Sequence, residues 1–131
     1  MRAAKNVQQE AIMEAGLRLS WGSIIPGRER AALELFDYAM RYLDGKKTSG
    51  AVTFFEPFFV RTTDQEYEQG FIILKGPVAE IFKLMEEDEY LTLLSKAYYL
   101  LNHFKVDILT VGEGIVAQLD RSAKVRAELG L

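Results

Sequence analysis

The sequence contains no cysteine and only one histidine, His103. The first absence excludes disulfides, thiolate metal sites and cysteine nucleophiles. The second leaves metal or triad chemistry without the cluster of side chains it needs, and no metal site is expected. Long apolar runs are missing too. Nothing approaches the roughly 20 residues of a membrane-spanning helix, so no membrane span is expected. The opening residues, Met1 to Asn6, run into polar residues rather than an apolar signal core, which argues for a cytoplasmic protein. Positive charge is not in excess either. A net charge of −3 leaves no basic stripe to hold a phosphate backbone, and nucleic acid is not expected as a partner.

What is present is the composition of a globular domain. At 131 residues, 49% hydrophobic and 27% charged, the chain can bury one core but not two. Residues 1–15 place Ala3, Ala4, Val7, Ala11 and Ala15 at helical spacing, predicting a short helix that stops at Gly16. Leu17, Leu19 and Trp21 then alternate with Arg18, Ser20 and Gly22, the mark of a strand with one apolar side.

Pro26-Gly27 ends that strand, and an apolar stripe of Ala32, Leu33, Phe36, Ala39, Met40 and Leu43 predicts a helix to about Leu43. Asp44 to Gly50 reads as a turn-rich link. A strand over 51–61 and another over 70–75 flank a polar connection, which favours a hairpin. Pro77 opens a second helical region with stripes Val78, Ile81, Phe82, Met85 and Leu91, Leu94, Tyr98, Leu101. The acidic run Glu86 to Glu89 between them predicts a solvated bend. Residues 104–111 form a last strand, Gly112-Glu113-Gly114 a tight exit, and a short helix starts near Ile115.

The second strand is the most informative element. Val52-Thr-Phe-Phe-Glu-Pro-Phe-Phe-Val60 puts Phe54 and Phe58 on one face and Phe55 and Phe59 on the other. A sheet in a small monomer should be polar on its outer face, so this one needs cover on both. The order strand, helix, strand, strand, helix, strand is the split βαβ, or ferredoxin-like, pattern: an α+β fold whose antiparallel sheet carries its helices on one face. Rings on the other face would be a liability in a monomer, and pairing two sheets into a homodimer removes them.

A resemblance points the same way. Trp21-Gly22, Pro26-Gly27-Arg28-Glu29, Phe55-Glu56-Pro57 and the tail from Glu89 through Val111-Gly112-Glu113-Gly114 are similar to short, functionally unassigned bacterial proteins of the dimeric α+β barrel superfamily. The resemblance runs from about Gly16 to Leu119. It implies a ferredoxin-like domain over 17–119, beside an N-terminal helical extension (1–16) and a C-terminal helix or tail (120–131). Members of that superfamily include haem-degrading and quinone-forming monooxygenases. The haem-degrading ones would want an axial histidine on a helix lining the pocket. His103 sits at the wrong end of its helix for that, so no cofactor is expected.

Glu56 stands out among the candidate residues. A carboxylate among rings needs a partner or a raised pKa, which makes it a candidate general base or ligand-orienting group. The alternative is a structural pair with a cation such as Arg28 or Arg61. Trp21 and Arg28 flank the first strand-to-helix turn. They could form a cation–π pair or grip an aromatic acid, or Trp21 could plug the core edge. Tyr98 and Tyr99 cannot both face inward, so one is expected in the core and the other at the surface or on a cavity wall. Two readings follow. One is a homodimer with a small-molecule cavity between sheet and helices, where Trp21, Arg28, Phe54, Phe58 and Tyr98 contact the ligand. Its chemistry, if any, would be cofactor-independent acid–base or oxygenation with Glu56. The other is a non-catalytic interaction or ligand-sensing protein whose aromatic sheet serves assembly alone.

Overall fold

The computed structural model describes residues 13–64 and 67–131. Alternating Leu17, Leu19 and Trp21 build the first strand, β1 (Glu14–Trp21). It pairs antiparallel with β3 (Gly70–Pro77) on one side and β4 (Lys105–Thr110) on the other. The aromatic strand β2 (Phe54–Phe59) pairs antiparallel with β3, as a hairpin requires, and completes a sheet of order β2-β3-β1-β4. Helix α1 (Glu29–Ser49) follows β1, α2 (Val78–Glu86) and α3 (Asp88–Leu100) follow β3, and α4 (Glu113–Glu128) closes the chain. This is the expected ferredoxin-like βαββαβ arrangement, with a further helix at its end.

The register sorts every strand residue to a face. Leu17 opposes Leu74, Leu19 opposes Ile72 and Phe55 opposes Leu74, all on the side that meets the helices. There Leu17, Val52, Leu74, Ile81 and Leu84 are closed off from water. Each such side chain stabilises the fold by roughly 1.5–3 kcal/mol. On the reverse face Phe54 opposes Lys75, Glu56 opposes Ile73 and Phe58 opposes Phe71. Pro57 lies in the edge strand β2, opposite Ile72.

Several expectations change. Strand β1 begins at Glu14, so Gly16 lies inside a strand and not at a helix stop; residues 1–12 of the expected helix lie outside the described residues. The link expected over 44–50 is instead the last part of α1, which runs through Gly45 to Ser49 and ends at Gly50 in the left-handed conformation. Lys46 and Lys47 in the last turn suit the negative end of the helix dipole, and the ion pair of Lys46 described below ties that turn down. The bend falls where the acidic run predicts, with Glu87 extended between α2 and α3. That break shifts the phase of the next helix. Its buried stripe is Tyr90 and Ala97, while Leu91 and Tyr98 are exposed. Helix α4 spans 16 residues rather than a short stretch, and none of them is buried. His103 occupies the turn into β4 with a left-handed φ of 56°, an exposed linker residue.

Candidate functional site

Helix α2 lies directly on β1 and β3, whereas α1 and α3 pack chiefly on each other. Gly76 allows the first approach: a Cβ there would stand 2.4 Å from the Ala51 carbonyl oxygen and 3.1 Å from Ile81 Cδ1. Under α1 and α3 the layers part, leaving a chamber of about 140 Å³. Leu19, Trp21, Ile72 and Leu74 form its floor, and side chains of α1 and α3, including Phe36, Ala39, Leu94 and Ala97, form its walls. The lining is almost wholly apolar.

Aromatic rings cluster at one part of this wall. Trp21 meets Phe36 and Phe59 edge-on, each at 6.3 Å between centroids, and Phe36 lies 5.3 Å from Phe59. Such pairings add modestly to the burial of the rings. Phe59 is 68% exposed, so the cluster reaches the surface at the edge strand.

Two tyrosines also line the chamber. The Tyr42 hydroxyl donates to Glu87 Oε2 at 3.0 Å, while Lys46 Nζ donates to Glu87 Oε1 at 2.6 Å. Burial, then the bond to Glu87, holds the Tyr42 phenol well above its ordinary range. The hydrogen bond from Lys46 is the main force holding the Glu87 carboxyl below its ordinary value. Tyr90 differs. It is 4% exposed, and its buried hydroxyl has no hydrogen-bond partner among the described residues. Burial pushes its phenol up to about 12. A buried polar group without a partner is uncommon and calls for a reason.

The other face of the sheet is open and mixes rings with charge. Arg18 lies 4.5 Å from the centroid of Phe71 and pairs with Glu68 at 2.5 Å. Phe58 stacks on Phe71 at 4.8 Å, and Lys75 lies 5.0 Å from the Phe54 centroid. Glu56 sits between them, exposed, with no ion pair or hydrogen bond among the described residues.

The six residues singled out in the sequence therefore fall in three places. Trp21 lines the chamber. Phe54, Phe58 and Glu56 share the open face, and Glu56 pairs with neither Arg28 nor Arg61. Arg28 turns away from the indole and donates to the Tyr99 carbonyl oxygen. Tyr98 is 57% exposed and packs edge-on against Phe104, and Tyr99 is exposed as well, so neither is a core tyrosine. The tyrosines of the chamber are Tyr42 and Tyr90. Spacing could have found Tyr90, because Tyr90, Leu94, Ala97 and Leu101 follow one helical stripe. Among the described residues no group of three or more His, Asp or Glu side chains converges as a metal site, and no helix is long and apolar enough to cross a membrane.

No protein-family model matches the chain, and no curated protein does so. Solved structures do match. One is a dimeric protein of unknown function and ferredoxin-like fold from Bacteroides fragilis, 9% identical, with a TM-score of 0.55 over 75% of this chain and 96% of that one. Another, from Deinococcus radiodurans, is named as a candidate antibiotic biosynthesis monooxygenase. It is 10% identical, with a TM-score of 0.54 over 76% of this chain and 93% of that one. At such identities the likeness speaks for architecture alone. The chain has the ferredoxin-like fold.

Proposed function

We propose that this protein is a homodimer that binds a small, partly aromatic molecule in the chamber between its sheet and its helices. The observation that carries the reading is the chamber itself, about 140 Å³ lined almost wholly by apolar side chains, with the rings of Trp21, Phe36 and Phe59 clustered at its wall. Apolar pockets with a few placed polar groups are the usual form of a small-molecule site. The rings of the open face support the assembly, since Phe54, Phe58, Phe71 and Ile73 would gain cover from a second sheet. The Bacteroides fragilis protein of the same fold is itself dimeric.

Binding without turnover fits the lining better than acid–base catalysis. No carboxylate, imidazole or amine lines the chamber among the described residues, and Glu56 faces the opposite side of the sheet. Both chamber phenols are held above their ordinary pKa and make poor bases near neutrality. Oxygenation is the rival reading, favoured by the name of the Deinococcus radiodurans neighbour. One experiment separates the two. The purified protein is titrated with a panel of phenols, quinols and aromatic acids, following the fluorescence of Trp21, the sole tryptophan, while an electrode records dissolved oxygen. Saturable quenching with constant oxygen and unchanged compound is the expected result. Oxygen uptake with loss of the compound would favour a monooxygenase, and no response from any compound would end the binding reading.

A further inference from the structure

We infer that the open face of the sheet is complementary to itself, and that two copies close through it with Glu56 of each chain paired to Lys75 of the other. The inference rests on the homodimer proposed above and names the contact that sets its register.

Paired strand positions point to one side of a sheet, so Glu56, Ile73, Arg18 and Asp107 form one row across this face. Lys75 stands in the next row, opposite Phe54. Most charges here are already met within the chain. Arg18 pairs with Glu68 at 2.5 Å, and Asp107 lies 4.0 Å from Arg18 and 3.6 Å from Lys105. Glu14 accepts the Thr53 hydroxyl. Two charges of opposite sign are left over. Among the described residues Glu56 has neither hydrogen bond nor ion pair, and the Lys75 ammonium has only the Phe54 ring, 5.0 Å from its centroid.

A second sheet laid on this face takes both charges out of water, and leaving either unpaired there is strongly unfavourable. The covering surface must bring a cation for Glu56, an anion for Lys75 and apolar area for Phe54, Phe58 and Phe71. Another copy of the same face brings all three. In a two-fold interface each contact is made twice with the roles exchanged, so one Glu56–Lys75 pair implies the other. The balance of sign also points to a copy. Glu14, Glu56, Glu68 and Asp107 stand against Arg18, Lys75 and Lys105, a nearly neutral mixture that neither repels itself nor attracts a strongly charged partner. A pair within one chain is the rival, since diagonal neighbours on adjacent strands lie within reach of long side chains. The Lys75 ammonium lies on Phe54 instead.

The test uses the full chain and two charge reversals, Glu56→Lys and Lys75→Glu, followed by light scattering after size exclusion over a range of concentrations. The unmodified protein should give a dimer. Each variant alone sets like charges together at both pairs, and its self-association should weaken by about a hundredfold or more. Mixed in equal amounts, the two variants restore opposite signs at both pairs, and the mixture should dimerise again. Recovery requires pairs that cross between chains, because a pair within one chain is broken in each variant and stays broken on mixing. Weakened variants without recovery would overturn the crossed pairing. Dimers kept by both variants would overturn it too, and would leave the homodimer standing through another surface. A monomeric unmodified protein would overturn both this inference and the proposed homodimer, and would leave the face to a different occupant. Should either reversal lose its thermal transition, introduced thiols decide, since the chain has no cysteine of its own. Glu56→Cys and Lys75→Cys, one of them tagged, are mixed and treated with a short bismaleimide. A linked dimer holding one of each is expected, and its absence from a mixture that scatters as a dimer would overturn the pairing.

Discussion

Gly70 has no side chain because Trp21 already occupies the space where one would stand. A Cβ at Gly70 would lie 2.5 Å from Trp21 Cζ2 and 3.0 Å from the Phe58 carbonyl oxygen. The indole lies against β3 at Gly70 and touches the rings of Phe36 and Phe59, so it cannot yield without disturbing them. Gly70→Ala should therefore cost about 1–3 kcal/mol, the usual range for overpacking, and move the emission maximum of Trp21. Urea denaturation followed by tryptophan fluorescence reads both. At this scale the sequence was half legible. Alternation alone put Glu56 on one face with Phe54 and Phe58, as the register has it. Alternation could not tell that this face looks away from the helices, because rings occupy both sides of β2. Tyr90 escaped notice because the acidic residues before it hid the phase of its helix.

Among the elements, the junction of α1, α2 and α3 depends on one side chain. Glu87 stands in the extended residue between two helices and receives Tyr42 and Lys46, both from α1. An acidic run suggests a solvated bend, yet one of its members is the clamp. Composition cannot distinguish them, since what matters is which carboxylate faces the neighbouring helix. The clamp carries a pH signature. The carboxyl of Glu87 is held below its unfolded value, so its contribution is present above the ordinary glutamate pKa and is lost as pH falls through the depressed value. Glu87→Gln should remove roughly 1 kcal/mol at neutral pH, a figure discounted for partial exposure of the pair, and should flatten the acid limb of the stability curve. Thermal melts between pH 3 and pH 7 measure the difference, and an unchanged acid limb would show that Glu87 contributes nothing there. The turn-like composition of Asp44 to Gly50 misled for a related reason: one glycine inside a helix costs only about 1 kcal/mol, which a tertiary clamp can offset.

For the molecule as a whole, the order of strands and helices was readable from periodicity, and the fold followed from it. The chamber was not readable, because a void is set by how far two layers stand apart and no residue pattern encodes that distance. The open face makes its prediction at this scale. Ile73 opposes Glu56 at its middle, so Ile73→Asp sets two carboxylates across from each other and removes an apolar contact. If the proposed homodimer forms through this face, light scattering after size exclusion should report a dimer for the unmodified protein and a monomer for Ile73→Asp; a dimer that survives the substitution would move the interface elsewhere. One further consequence concerns Pro57. Val60 donates to the Gln69 carbonyl oxygen, and counting back along the register makes Pro57 one of the positions whose nitrogen points away from β3, toward open solvent. The proline costs the ladder no bond, and it deletes a donor from the row that a stray strand would need in order to dock. So aromatic a strand, left with an intact border, would be a template for fibres. With that donor missing, docking along the β2 edge is disfavoured, which suits the proposed assembly, where two copies close on each other through the broad side of the sheet and stop.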